Sequence, residues 1–261
     1  MARYQLKLAY DGTEFFGFQR QGNTRTVQKV FETTLKRLGW EENTILFAGR
    51  TDTGVHASGQ VVVFDLNWNH TNEELKMALN AYLPEDVAVS DVKLTDADFH
   101  PRYDALSRVY RYSIYHQPER NPLNDRFAWR IWPELKGEKL HEAAIHLLGS
   151  HDFSAFGRPM KPGSSTTRTV LRSEWNPTAT GWEYQIEANA FLYHMVRRSV
   201  YILVQVAREK MSMEMLLSGI NEKAGMRSGL APARGLNLWQ VNYPEGKQVD
   251  VELQELNDDV A

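Results

Sequence analysis

The sequence predicts an α+β fold of two ferredoxin-like halves, whose strands form a mixed, mainly antiparallel sheet with a central cleft. Two observations support this prediction. Alternating apolar and polar residues, typical of half-buried strands, are interrupted by stretches with apolar residues at helical spacing. The resulting order β-α-β-β-α-β occurs in residues 1–104 and again in residues 105–244, without obvious sequence identity between the halves. A cleft between two such halves is a common location for a functional site.

The first half places two helices between its strands. Apolar residues recur at helical spacing over 27–38, and Thr26 and Gly39 are placed to cap and end this helix. Thr71 and Glu74 form a capping-box pattern that opens the second helix. The strands are predicted at residues 3–10, 45–47, 60–66 and 86–94.

The second half repeats this order. Strands are predicted at residues 106–116, 168–175, 182–190 and 236–243, and helices at residues 137–148, near Tyr193 and near Ser212. We therefore expect an N-terminal half at residues 1–104, a C-terminal half at residues 105–244 and a tail at residues 245–261.

Composition excludes several classes of site. The chain has 261 residues, of which 42% are hydrophobic and 24% charged, as in ordinary globular proteins. It has no cysteine, so disulfides, thiolate nucleophiles and cysteine metal sites are excluded. No His-x-x-x-His pair occurs, and no apolar run is long enough to span a bilayer. We expect a cytoplasmic protein without metal or membrane association.

Charge is distributed unevenly along the chain. The tail at 245–261 contains six acidic residues and one lysine, and we expect it to be disordered. The whole chain carries a formal charge of −3, so residues 1–244 carry +2. A mildly basic body is compatible with RNA binding but does not establish it.

The stretch from Gly49 to Asp65 is the most informative in the sequence. Glycines at 49, 54 and 59 interrupt it and are expected to supply the positive φ of tight turns, while residues 61–64 are an apolar β-branched run typical of a buried strand. Asp52 therefore lies in a loop held by a strand. Arg50, two positions earlier, is placed to keep this carboxylate ionised, as a nucleophile or base requires. The alternative is a polar turn that only caps the strand.

The string Gly49–Ala57, Gly-Arg-Thr-Asp-Thr-Gly-Val-His-Ala, closely resembles the active-site motif of the tRNA pseudouridine synthase A family. Three further segments resemble other motifs of the family: the aromatic loop at 10–21, the strand at 108–115 and the helix start at 191–197. Aromatic residues in the first of these segments are suited either to stacking on bases or to a small apolar cluster under the loop.

The resemblance implies a cofactor-free, homodimeric enzyme that isomerises uridine to pseudouridine at positions 38, 39 and 40 of the tRNA anticodon stem-loop. It implies that Asp52 is the catalytic nucleophile or base and that Tyr110 stacks on the target base and assists at C5. Arg197 matches an arginine beside the carboxylate, and Arg50 is placed to fill the space of a flipped-out base. We expect His56 and His194 to be structural.

Three positions depart from the family pattern. The family's Ala-Pro-Pro run is here Ala231-Pro232-Ala233. Arg198 stands where the family usually has Asn, and Tyr201 where it usually has Gly. These differences concern helix packing and local RNA contacts rather than the chemistry.

Two other functions are compatible with parts of the sequence. A non-catalytic RNA-binding protein of two RRM-like units would need an RNP1-like string, which does not occur. An aspartic protease would share the tripeptide Asp52-Thr53-Gly54, but it needs a second carboxylate, which only a second copy of the chain would supply.

Overall fold

The structure, a computed structural model, describes residues 1–221 and 228–246. Within them the α+β class is confirmed. The strands are β1 (Ala2–Tyr10), β2 (Leu46–Phe47), β3 (His56–Leu66), β4 (Val87–Leu94), β5 (Ser107–Tyr115), β6 (Trp129–Arg130), β7 (Gly149–Asp152), β8 (Thr167–Pro177), β9 (Gly181–Ala188) and β10 (Leu236–Asn242). The helices are α1 (Val27–Arg37), α2 (Asn72–Tyr82), α3 (Pro122–Asp125), α4 (Gly137–Ile145), α5 (Met195–Ala207) and α6 (Met213–Asn221). The tail at 245–261 was expected to be disordered, but its residues after Gly246 lie outside the described part of the chain.

One continuous sheet, rather than two separate sheets, runs through both halves. In the described residues its order is β4-β1-β3-β10-β5-β9-β8-β7, with β2 beside β3 and β6 beside β5. The pairings β3–β10 and β5–β6 are parallel, and the other pairings are antiparallel. The predicted mixed, mainly antiparallel sheet is therefore confirmed.

Each half has the same strand order. The first half reads β4-β1-β3-β2, which is 4-1-3-2 when its strands are numbered in chain order. The second half reads β10-β5-β9-β8, which is also 4-1-3-2 when the short strands β6 and β7 are left out of the numbering. The halves join along β3, whose far end pairs with β2 at Val62 and Val63. Its near end pairs with β10 at His56 and Ala57. The junction therefore lies directly after the loop that carries Asp52.

Strand β3 begins four residues before its predicted start. Its first residues do not form an apolar run, so the sequence pattern did not predict them as strand. They are strand because they pair with β10, which is distant in the sequence. Gly59 lies inside this strand and not in a turn. Glycine is needed there because a side chain would collide with the backbone carbonyl of Trp239. The short elements α3, β6 and β7 were not predicted, because two to four residues show no periodicity.

The helices bury one face against the sheet. Helix α1 places Val27, Phe31 and Leu35 in the core. The predicted capping box of α2 is present, whereas Thr26 makes no side-chain cap bond to α1. Helix α5 is buried along most of its length, which fixes the direction of its first turn. No helix among the described residues is long and apolar enough to cross a membrane.

Candidate active site

The Asp52 loop is a tight turn packed against a second loop. The amide of Val55 donates to the carbonyl of Asp52 at 3.1 Å, and Gly54 has φ of +75° at the third position of this turn. The amide of Gly54 donates to the carbonyl of Phe15 at 3.2 Å. The expected positive φ is confirmed at Gly54 and is wrong for Gly49 and Gly59, whose φ angles lie outside that region.

Buried polar contacts hold the residues before Asp52. The hydroxyls of Tyr10 and Thr51 lie 2.7 Å apart, both buried. The side-chain amide of Gln60 accepts from the amide of Gly49 at 3.2 Å and donates to the carbonyl of the same residue at 2.7 Å. Because such contacts are costly to break inside a protein, the loop is fixed without any ligand.

Two cationic or potentially cationic side chains meet one oxygen of Asp52. Arg197 donates from Nη1 to Oδ2 at 2.9 Å, and Nε2 of His194 lies 3.3 Å from the same atom. The other oxygen, Oδ1, has no hydrogen-bond partner in the described part of the chain. The side chain is 21% exposed. One carboxylate oxygen is therefore held and the other faces the cleft.

Arg197 is oriented by the chain that precedes β10. Its Nε donates to the carbonyl of Ala231 at 2.9 Å, and the amide of Ala231 donates to the carbonyl of Arg197 at 3.1 Å. Ala231 is fully buried. This pairing aims the guanidinium at Asp52, as the sequence predicted for an arginine beside the carboxylate.

His194 was expected to be structural, and the structure places it in contact with Asp52. It precedes α5 with φ of 67°, a conformation that costs energy in residues other than glycine. Its ring stacks on Tyr193 with centroids 3.7 Å apart. Burial lowers the pKa of His194, which the Asp52 carboxylate opposes and the charges of Arg197 and Arg158 reinforce. The sequence contained a signal for this contact, because His194 and Arg197 are three positions apart at a helix start, and residues three apart share one face of a helix.

Tyr110 lies on β5 beside the cleft. Its ring meets the edge of Phe191 at 5.1 Å between centroids, and the side chain is 9% exposed. Burial raises the pKa of the Tyr110 hydroxyl to about 12, and the nearby Asp52 carboxylate adds to the increase. The phenol is therefore protonated at neutral pH.

Arg50 lines the cleft but does not pair with Asp52. Among the described residues its guanidinium makes no ion pair, and the side chain is exposed. Burial and the neighbouring charge of Arg102 lower its pKa. Among the described residues the contacts to the Asp52 carboxylate come from Arg197 and His194 and not from Arg50.

These side chains surround a cavity of about 880 Å³. Its floor contains Asp52, Tyr110 and Leu236. Its edge carries exposed aromatic rings, of which Tyr103 is 76% exposed and Phe16 is 52% exposed. The other aromatic rings of the loop at 10–21, those of Tyr10, Phe15 and Phe18, are buried and form an apolar cluster under the loop, whereas Phe16 is exposed at the cleft. Flat rings and guanidinium groups at an open edge are suited to unstacked bases and phosphates.

Comparison with known proteins identifies the family. The family model described as tRNA pseudouridine synthase matches residues 8–104 and 143–244. The chain belongs to this family. A tRNA pseudouridine synthase A from Pseudothermotoga lettingae is 38% identical over 245 residues, covering 93% of this chain and 100% of the relative. One from Bacillus subtilis is 36% identical over 244 residues, covering 92% and 99%.

Membership of the tRNA pseudouridine synthase family confirms the resemblance seen in the sequence. Asp52 and Arg197 lie within the matched segments, and Tyr110 lies between them. The two alternative functions receive no support. The partners of the Asp52 carboxylate are an arginine and a histidine and not the second carboxylate of a protease. Across residues 1–221 and 228–246, no cluster of side chains suited to a metal ion occurs.

Proposed function

We propose that this protein isomerises uridine to pseudouridine at positions 38, 39 and 40 of the tRNA anticodon stem-loop, with Asp52 as the catalytic residue. One observation carries the proposal: Asp52 lines the cleft with Oδ2 held by Arg197, while Oδ1 has no hydrogen-bond partner among residues 1–221 and 228–246. A carboxylate held in this way is suited to act on a ribose carbon or proton. Names of the relatives agree with tRNA as the substrate.

The reaction leaves the elemental composition of the nucleotide unchanged. The bond between C1′ of ribose and N1 of uracil breaks, the base turns over, and a bond forms between C1′ and C5. The proton at C5 leaves and N1 gains a proton, so neither oxidant nor energy source is consumed. Asp52 assists by attack on C1′ or by removal of a ribose proton, and both routes need a basic carboxylate oxygen.

The neighbouring residues support binding and positioning. A uridine in a stem must leave the base stack, at a cost of roughly a few kcal/mol, before C1′ reaches Asp52. Arg50 is placed at the cleft to occupy the space that the base leaves. The ring of Tyr110 stacks on the uracil. Its hydroxyl is protonated at neutral pH, so it hydrogen-bonds near C5 as a neutral phenol. Arg197 orients Asp52 from the other half of the molecule.

The proposal includes the organisation of the protein. We assign the halves to residues 1–104 and 105–244 and the acidic tail to residues 245–261. The protein acts in the cytoplasm as a homodimer without a cofactor, as the resemblance to the family implies.

The decisive experiment measures release of tritium from tRNA labelled at C5 of uridine. Asp52→Asn retains the shape of the side chain and can accept the hydrogen bond from Arg197, so the fold and tRNA binding are expected to persist. The amide is neither nucleophilic nor basic at neutral pH, so tritium release is expected to fall to the background rate.

Arg172→Gln serves as the control, because Arg172 is exposed on β8 and does not line the cleft. This variant is expected to release tritium at the wild-type rate. Wild-type release by a folded Asp52→Asn protein would contradict the role of Asp52. Absence of release by the wild-type protein on unmodified tRNA would contradict the function itself.

A further inference from the structure

A second cavity adjoins the cleft at the start of α5. We call it the Arg158 groove. Its volume is about 460 Å³. The polar and aromatic side chains that line it are Ser154, Phe156, Arg158, Tyr193, His194 and Arg198. No aspartate or glutamate of the described residues lines it, so its two guanidinium groups give it a positive potential.

Arg198 is fixed in this groove by backbone carbonyls. Its Nε donates to Ala155 at 3.1 Å and its Nη1 donates to Gly229 at 3.2 Å. These acceptors are neutral, and no carboxylate of the described residues pairs with Arg198. Tyr201 packs against Gly229 in the space that a side chain there would need. Arg198 and Tyr201, two of the residues that depart from the family pattern, therefore contact the same segment of backbone.

Arg158 has no side-chain partner. Its guanidinium makes no hydrogen bond or ion pair with any other residue in the described part of the chain, and the side chain is exposed. Its backbone is nonetheless fixed, because Arg158 and Tyr193 exchange amide–carbonyl bonds of 3.3 and 2.9 Å. An exposed arginine on an ordered backbone is available to a ligand, and binding then orders only its side chain.

The groove and the catalytic cleft share Tyr193 and His194. His194 lies 3.3 Å from Asp52, so a strand whose nucleotide reaches Asp52 passes the stacked rings of these two residues. The next part of the strand would then meet Arg158 and Arg198. Successive phosphates along a single strand follow a path of this kind.

We propose that the Arg158 groove binds a backbone phosphate of the RNA strand that carries the target uridine, with Arg158 and Arg198 as its ligands. This inference rests on the proposed function, since it assumes that the ligand of the cleft is RNA. Guanidinium groups bind phosphate through two parallel hydrogen bonds, and Nη2 of Arg198 and all donors of Arg158 are available for this. Arg158 and Arg198 hold the strand and take no part in the chemistry.

The first test measures the binding of unmodified tRNA transcript at several salt concentrations. Arg158→Gln is expected to weaken binding roughly three- to tenfold and to reduce the slope of log affinity against log salt by about 1, because one phosphate contact is lost. Turnover at saturating tRNA is measured at pH 8, where His194 is neutral, and is expected to change less than the affinity. Arg172→Gln, which removes the same charge outside both cavities, is expected to change neither affinity nor slope.

The second test locates the phosphate. Stem-loop RNAs are prepared in which one phosphate near the target uridine is replaced by a neutral methylphosphonate. At one position the replacement is expected to weaken binding by wild type but not by Arg158→Gln, because the contact is already absent in the variant. Arg158→Lys, which retains the charge but not the planar donors, is expected to recover part of the affinity and the salt slope.

The outcomes separate this proposal from the proposed function. Tritium release by wild type, together with an unchanged salt slope in Arg158→Gln, would overturn the phosphate site and leave the enzyme assignment intact. A loss of turnover at saturating tRNA with unchanged affinity would also overturn it, because Arg158 would then act on the chemistry. Absence of release by wild type would overturn the enzyme assignment, whatever the salt slopes show.

Discussion

Arg197 and Asp52 are 145 positions apart in the sequence, yet Nη1 of one lies 2.9 Å from Oδ2 of the other. The aspartate comes from the loop before β3, and the arginine comes from the first turn of α5. The parallel pairing of β3 with β10 brings these two parts of the chain together, and the carbonyl of Ala231 orients the guanidinium. The Asp52 carboxylate is thus supported by the opposite half of the molecule.

Arg197→Lys is expected to lower turnover although the charge is retained. An ammonium group cannot donate to both Asp52 and the carbonyl of Ala231 with the geometry of the guanidinium. We expect kcat to fall roughly 10- to 100-fold, in line with the loss of a charge-assisted hydrogen bond. Single-turnover tritium release with saturating tRNA measures this effect. Unchanged turnover would show that the contact with Asp52 is not used in catalysis.

His194→Gln is expected to change the pH dependence of turnover. The lowered pKa of His194 leaves the imidazole neutral at neutral pH, with Nε2 at 3.3 Å from Oδ2 of Asp52. On acidification the ring gains a positive charge beside Arg197 and Arg158, and Asp52 becomes a poorer nucleophile or base. Wild-type kcat should therefore decrease as the pH is lowered below about 6.5, the ordinary pKa of histidine.

Glutamine retains an N–H donor but does not titrate in this range. We expect the Gln variant to keep most of its activity at pH 8 and to lose less of it between about pH 6.5 and 5 than wild type. The rate of single-turnover tritium release across this pH range provides the measurement. Identical acid limbs in the two proteins would assign the loss of activity to another group.

Tyr110→Phe is expected to separate stacking from hydrogen bonding. Phenylalanine preserves the ring and its contact with Phe191, and the Tyr110 hydroxyl has no hydrogen-bond partner among the described residues. Melting temperature and tRNA affinity should therefore remain close to wild type. If the phenol assists at C5, kcat should decrease about tenfold or more. A wild-type kcat in this variant would limit Tyr110 to stacking.

His56 is expected to make stability depend on pH. Its Nδ1 accepts from the amide of Gly12 at 3.0 Å, and its Nε2 lies 3.1 Å from the carbonyl of Arg234. Burial lowers the pKa of His56 below its ordinary value of 6.5, and the nearby Asp11 carboxylate opposes this only in part. The unfolded chain therefore binds a proton more readily than the folded protein does.

The free energy of unfolding should therefore be highest above pH 6.5 and should decrease as the pH is lowered through this value. Urea unfolding at a series of pH values measures it. His56→Gln removes the titrating group, so its stability should be lower at neutral pH but should vary less between about pH 6.5 and 5. An equally steep decrease in the variant would assign the pH dependence to other residues.

The sequence by itself determined the order of the long elements and the location of the Asp52 loop. Helices α1 and α2 follow from apolar residues at helical spacing, and the turn at Gly54 follows from local backbone chemistry. Asp52 was found because its motif is contiguous. Signals of this kind depend on neighbouring residues, so the linear chain contains them in full.

The resemblance placed Arg197 beside Asp52, but only the tertiary structure decided that His194, and not Arg50, also meets the carboxylate. The sequence favoured Arg50, which is two positions away, but residues so close in a turn can point in different directions. His194 contacts the carboxylate because of its positive φ at the start of α5 and its stacking on Tyr193. The early start of β3 likewise depends on β10, far along the chain. Such contacts arise from the packing of distant segments, and their free energy comes from burial and hydrogen bonding that no local pattern contains.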